Sequence, residues 1–599
     1  IGRNFLYKIL CAVTEIDHAV DERLENLRKA DIIDKRTRSG ELEYFFKHAL
    51  TRQVVYDSIL LKKREELHIK IAHAVESVFA AELPGFYSML ALHYGKGGDL
   101  PKTGEYLKKA AEEALKTAAS GEALHYYGEA LRIYRKKHGK KGDPETTAGL
   151  EWNIGKAYFD RGHMREAVKH FDRVLELWGE SKSTPRGLKH RSRPGRPPGR
   201  IPTKRENDIF AVKYRRCTAL AAIDTHRMVK ETDRFLETVQ KYDLAKVRDG
   251  VNYYASLSAL IFFSGTSFAV TEEMLDYARG YITSSDPGTR FAFDFWELLF
   301  DTLSGNWRRE LIYDETVIND NLKRGELYTV PGYLFLGGMI KTEQGSFEAV
   351  KPHIDKLDEI SDTFANDQAL LFKYTLNSRY LLKRRQLFKA LEEVEAGIAL
   401  ADSAARKPDL MNFNGLKANI QILLGETDRA EKTVNLAAGL ADRYKLAAPL
   451  HTGSFQLSRF LLHLCKLEKS TGENNKTAAK KLRREARRSG KELLKTVAKN
   501  AAYRTEALRL TGTFHWLAGE QKKALSYWGQ SISSGEQLGD RPELGRTYVE
   551  VGQRLQEKKS KFKELSGISA KEYRQRAWYF FKEMNLEWDL DRWETHANR

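Results

Sequence analysis

Cysteine is scarce: Cys11, Cys217 and Cys465 are the three in 599 residues. They lie far apart and form no C-x-x-C pair, which argues against a disulfide framework or a thiolate zinc site and for a reducing, cytoplasmic compartment. Proline is sparse too, with 14 in the chain, five of them between Pro185 and Pro202. Elsewhere helix formers dominate, so an all-α chain is expected. No apolar stretch leads from Ile1 to a small-residue cleavage site, so no signal peptide is read. Ile1, standing where Met would begin a protein, suggests a cut inside a longer one. Residues 250–271 carry no charge, but six Ser and Thr and the break at Gly265 fit a buried helix and a turn better than a membrane span.

Catalytic signatures are missing as well. There is no G-x-x-x-x-G-K-[ST] loop to cradle a triphosphate, no H-E-x-x-H, no G-x-S-x-G, no kinase H-R-D or D-F-G and no cyclase metal motif. His68 and His73 are five apart, a spacing that does not put both on one helix face. No catalytic residue, metal ligand or cofactor is therefore expected in this chain.

Charge is present but uneven. Of the formal +18, +17 sits in residues 181–205 and 476–499. The first segment is proline-rich with almost no apolar content, which predicts a basic flexible linker over 181–208. Within it Arg193-Pro194-Gly195-Arg196-Pro197 matches an AT-hook core, a pattern that basic linkers produce readily, and charge alone gives only sequence-independent affinity for nucleic acid. The second, Lys480 to Lys499, reads as a helix with a solvated basic face and no aromatic residue to stack on bases.

Internal repeats are the decisive signal. Gly155, Tyr158, Gly162, Ala167 and Phe171 are spaced 3, 4, 5 and 4 apart, and Gly512, His515, Gly519, Ala524 and Trp528 repeat that spacing. A helix hairpin explains the pattern. The first small residue lets two helices approach. The second glycine ends helix A in the left-handed conformation. The alanine faces helix A, and the aromatic is expected to fill the groove to the next repeat. Weaker copies include Tyr94, Gly98, Thr103 and Leu107; Ala123, Tyr127 and Ala130; Gly338, Gly345 and Val350; and Gly425 with Ala430. Such hairpins bury their faces only by stacking, which predicts a tetratricopeptide-like α-solenoid over 81–180 and 209–599.

Residues 1–80 read differently. GRNFLYKILCAV and DERLENLRKADII suggest short amphipathic helices; Ser39-Gly40 marks a hairpin turn; and one long helix is expected from about Leu50 to Phe79. Two helices, a hairpin and a helix make a small winged-helix domain.

IGRNF followed by YFFKHALTRQVVYDSILLKKREELHIKIAHAVE resembles the winged helix behind the NTPase core of bacterial STAND-class signalling ATPases. LALHYGKGGDLPKTGEYLKKAAEEALK and RQRAWYFFKEMNLEWDLDRWE resemble the start and end of the tetratricopeptide array that follows it there. That architecture is common behind class III nucleotide cyclase or Ser/Thr kinase domains. The resemblance implies a regulatory region that binds protein or peptide partners and relays to an upstream NTPase domain, where ATP or ADP would bind. It also implies a nucleotide-sensing role for His48, whose counterpart in a Met-His-Asp motif touches the β-phosphate of ADP; here the motif reads Lys47-His48-Ala49. Two other readings stay open: a freestanding scaffold, and a winged-helix transcription regulator. The mixed charge of the presumed recognition helix (Glu22, Glu25 and Asp31 among Arg23, Arg28 and Lys29) argues against phosphate tracking, so nucleic acid is not an expected partner.

Overall fold

The computed structural model describes residues 2, 4–14, 19–38, 40–117, 119–180, 199–263, 268–282, 287–308, 312–443, 448–472 and 476–597. The chain divides into two compact units, Ile1–Tyr158 with Asp172–Glu180, and Phe159–Phe171 with Ser181–Arg599. Among the described residues nearly all regular structure is α-helix. None of these helices is long and apolar enough to cross a membrane; the uncharged stretch covers the helix Gly250–Phe263 and the first turn of Phe268–Arg279.

The first unit opens with β1 (Asn4–Leu6), α1 (Tyr7–Thr14), α2 (Ala19–Lys29), β2 (Ile33–Arg38) and β3 (Glu41–Phe46). The strands form an antiparallel sheet in the order β1-β3-β2, with Ile33 opposite Phe46 and Asn4 opposite Phe45. The start of the chain is thus a strand and not the expected helix: alternating side chains let Phe5 stack on Tyr44, over a core of Val20, Leu24 and Ile33. The helix expected over Leu50–Phe79 is two, α3 (Ala49–Ser58) and α4 (Leu61–Val78), broken where Ile59 and Leu60 turn extended at ψ 131° and 140°. Neither proline nor glycine marks that break. The packing of α4 supplies its cause: Ile71, Ala72, Val75 and Phe79 face a core shared with Ile9, Leu90 and Tyr94. No residue of α3 is buried. Then come α5 (Tyr87–Lys96), α6 (Leu100–Lys116), α7 (Ser120–His138) and α8 (Pro144–Asp160). The Glu76 carboxylate ties three of these helices together, accepting from the stacked Tyr94 and Tyr106 hydroxyls and from Lys102.

The second unit is a stack of helix hairpins. Lys204–Ile223 pairs with Thr225–Val239, Gly250–Phe263 with Phe268–Arg279, Thr329–Glu343 with Lys351–Phe364, and Asp367–Lys383 with Leu387–Ser403. Lys407–Leu423 pairs with Thr427–Arg443, Pro449–Gly472 with Lys476–Val497, Arg504–Leu517 with Gln521–Leu538, and Arg541–Gln556 with Ala570–Glu583. Each first helix also packs on the first helix of the next pair, with Pro287–Ser304 bridging the second and third. That double contact defines a tetratricopeptide-like α-solenoid, in which a hairpin's open face is covered by its neighbour.

One sequence expectation changes here. Residues 181–198 of the expected linker lie outside the described residues, as does the Arg193–Pro197 motif. Its remainder is ordered. Thr203 and Glu206 form a reciprocal capping box at the start of Lys204–Ile223, and Arg200 stacks on Tyr242 at 4.5 Å, with backbone hydrogen bonds on either side. The basic helix Lys476–Val497 buries Ala486, Ser489, Gly490, Leu493 and Val497 as one stripe and leaves Arg483, Arg484, Arg487, Arg488 and Lys491 exposed.

Candidate functional site

In the hairpin of Gly512–Trp528, Gly519 holds φ +80°, and Gly162 and Gly345 hold +79° and +76°. Ala524 and Ala167 are fully buried. Trp528 lies against the small residue of its own hairpin. A Cβ on Gly512 would lie 2.4 Å from its ring, and its indole Nε1 donates to the Arg509 carbonyl at 3.1 Å. The aromatic therefore closes its own hairpin over the small residue, which is why the pair must be glycine and a large ring. His515 stacks on Tyr527 and meets the Glu520 carboxylate at 2.7 Å. Phe171 is fully buried, Gly155 is buried, and Tyr158 packs at the edge of the first unit's core. His48 stands exposed as the N-cap of α3 and makes no capping hydrogen bond, beside the Lys47–Asp31 ion pair.

One repeat escaped the sequence search. Ser378, Leu381, Ala390 and Val394 keep the spacing of the motif, but the glycine position holds Arg385, at φ +60°. Five residues later Ala390 is fully buried, as in its counterparts.

The second unit also closes on itself. The turn after Thr329–Glu343 docks on the last hairpins: a Cβ on Gly345 would stand 2.3 Å from Met584 Sδ, and Gln344 Nε2 donates to the Leu538 carbonyl at 3.5 Å. Arg546 donates to the Lys383 carbonyl at 2.7 Å, and Arg504 to the Ser304 carbonyl at 3.1 Å. The first helices bring a charged network into this seam. Glu343, with none of its side chain exposed, pairs with Arg379 and, at 2.8 Å, with Lys383. Lys383 reaches Glu543 at 3.2 Å; Arg509 reaches Glu506 at 3.2 Å and Glu543 at 3.1 Å; Arg546 reaches Glu543 at 2.6 Å and Asp589 at 2.7 Å. Burial favours protonated Glu543, but Lys383, Arg546 and Arg509 outweigh it and hold the carboxyl well below its ordinary range. Asp540, buried with weaker compensation from Lys383, is pushed up to about 7. Arg379 also stacks on Tyr503 at 4.5 Å. Sequence reading missed this network because its partners lie up to 160 residues apart, as Lys383 and Glu543 do.

Two openings adjoin the network. One, about 20 Å³, is lined by Glu343, Arg379, Asn419, Ser454 and Tyr503. The other, about 240 Å³, is walled by Arg385, Arg509, Arg546, Trp588 and Arg592 with Glu506, Glu550 and Asp589. A separate cleft in the first unit, about 740 Å³, runs between β1 and the helices α5 and α7. Behind it His68 Nδ1 meets His93 Nδ1 at 2.8 Å, and His68 Nε2 meets the Tyr56 hydroxyl at 2.9 Å. Burial lowers His68 to about 4 and His93 to about 3, so both imidazoles are neutral at pH 7 and one Nδ1 donates to the other. Three or more potential ligands do not converge on a metal position anywhere among the described residues.

Compared with known proteins, the chain matches no family model and no curated sequence. Solved structures similar to it include the Cut9–Hcn1 hetero-tetramer of the APC/C, at 12% identity and TM-score 0.41, covering 89% of this chain and 88% of that one. A Rap protein complexed with Competence and Sporulation Factor is 12% identical with TM-score 0.41, covering 65% and 99%. Yeast Tom70 is 14% identical with TM-score 0.28, covering 85% and 98%. Likeness at this level adds nothing to the fold established by the hairpin packing.

Proposed function

We propose that this chain is a non-catalytic binding region that captures protein or peptide partners on its repeats, as the sensor of a cytoplasmic STAND-type signalling ATPase. The observation that carries the binding reading is the stack of first helices, which brings charged side chains from distant repeats to one inner seam beside an open cavity. A repeat stack offers such a surface without any reacting group. A peptide-display screen against the purified chain tests it. Enrichment of sequences that bind in solution and are competed off by unlabelled peptide is the expected result; a screen that enriches nothing overturns it.

The ATPase context has a separate support. The β1-β3-β2 sheet beside α1 and α2 supports the winged-helix reading of residues 1–80, and α3, directly after His48, exposes Leu50 at 80%, Val54 at 68% and Val55 at 50%. An apolar helix face of this kind marks an interaction site. A protein extended to include an upstream NTPase domain should bind ADP, and His48→Ala should weaken that affinity. Unchanged ADP affinity in the variant would remove His48 from the nucleotide site.

A further inference from the structure

Arg385 is out of place twice. Its backbone sits at φ +60°, where the equivalent position in the neighbouring repeats is Gly345 or Gly425. A left-handed arginine is strained relative to glycine, and strain of this kind persists where the surroundings hold it. Its side chain enters the charged seam, where Arg379, Lys383, Arg509 and Arg546 each meet at least one carboxylate. Arg385 meets none among the described residues, and its buried Nε has no hydrogen-bond partner. Its one side-chain contact of note is the face of Trp588, with the guanidinium carbon 5.5 Å from the ring. Arg592 covers Trp588 as well, at 4.3 Å. Burial and the nearby Arg546 lower the Arg385 pKa to about 10 against the opposing pull of Asp589, Glu543 and Glu506, which leaves it a cation at neutral pH. A half-buried cation with no carboxylate in contact is costly, and an anion in front of it would remove part of that cost.

The room for such an anion is present. The cavity of about 240 Å³ has Arg385 in its wall and is bounded outwardly by half-buried Trp588 and exposed Arg592. It is smaller than the roughly 300 Å³ at which drug-sized sites begin, a scale suited to one or two side chains. The carboxylates lining it, Glu506, Glu550 and Asp589, are paired to Arg509, Arg554 and Arg546. Arg385 therefore lines the cavity as a cation with no carboxylate in contact, offset by Asp589, Glu543 and Glu506 only at longer range.

We infer that the Arg385–Trp588–Arg592 cavity is the anchor point of the peptide-binding surface and takes a carboxylate of the bound peptide, clamped by the guanidinium of Arg385. This rests on the peptide-binding reading above. A carboxylate suits a planar guanidinium fork, which can donate two parallel hydrogen bonds. It could come from an acidic side chain or from a peptide C-terminus.

The test is calorimetric titration of the full chain with three probes: penta-glutamate amide, penta-glutamine with a free C-terminus, and penta-glutamine amide. Binding of a carboxylated probe but not of the neutral one is expected, and which of the first two binds identifies the source of the carboxylate. Arg385→Gly should weaken that binding about ten- to a hundredfold while melting at the same temperature or higher, because glycine relieves the backbone strain. The raised or equal melting temperature separates lost recognition from lost folding. Arg385→Lys should recover only part of the affinity. Equal affinity in Arg385→Gly, or no binding of either carboxylated probe, overturns the inference. If selected peptides bind the parent chain and Arg385→Gly equally, the peptide-binding function stands and only this anchor fails.

Discussion

The turn at Gly345 and the turn at Gly519 obey the same local rule and carry different weight. Both end a first helix at positive φ, and both precede a buried residue by five positions, Val350 at the start of the partner helix and Ala524 within it. Around Gly519 a new Cβ would meet nothing within 4 Å, whereas at Gly345 it would strike Met584 Sδ at 2.3 Å and Pro542 at 3.2 Å. The motif specifies a hairpin; the energetic cost of breaking it depends on what lies outside that hairpin. A Cβ at Gly305 or Gly345 would strike side chains of later repeats, and Arg385 reaches Trp588, whereas a Cβ at Gly425 or Gly519 would meet nothing within 4 Å.

The largest effect is expected behind the docked turns. Glu343→Ala leaves Arg379 and Lys383 short of a buried partner and should cost about 3–5 kcal/mol, measured by urea denaturation. Gly345→Ala adds a clash to left-handed strain, and should cost about 2–4 kcal/mol. Gly519→Ala meets open space, so strain alone applies, at about 1–2 kcal/mol. Equal costs at the two glycines would erase the comparison. Arg385→Gly should have the opposite sign, a gain of up to about 1 kcal/mol in the absence of ligand.

pH sharpens the same contrast. Asp540 begins the helix Arg541–Gln556 in the docked seam, and its pKa is raised from 3.8 to about 7. A raised acid favours the folded state while protonated, so this contribution is complete below about pH 4 and is lost as pH climbs through 7. Asp540→Asn should match the parent near pH 4 and exceed it at pH 8. Glu543 has the reverse sign: its contribution is present above its ordinary range and disappears only in acid. A thermal-melt series across pH, parent against Asp540→Asn, checks this.

Much of the fold was legible in the residues, and the reasons are local. Glycine at a left-handed turn and alanine five residues later are demands of one hairpin, so they can be read from spacing. The repeat at Ser378–Val394 stayed hidden because Arg385 occupies the glycine position. β1 was missed because three residues give too short an alternation, and its pairing with β3 spans about 40 positions. The break between α3 and α4 carries no helix-breaking residue and follows from packing. The candidate site was the least legible part. Its charges come from four first helices and the final helix Glu587–Ala597, and charged residues on a helix read as solvated until the stack turns them inward.

Hydrogen exchange on Gly345→Ala tests the central claim, that the repeats of the second unit close through a docked, charge-lined seam. The account expects protection to fall in Thr329–Phe364 and, across the seam, in Arg541–Glu583, while Lys407–Arg443 keeps its protection. Loss confined to Thr329–Phe364 and the hairpins adjoining it in sequence would contradict the closure, and an even loss from residue 204 to residue 597 would contradict the solenoid.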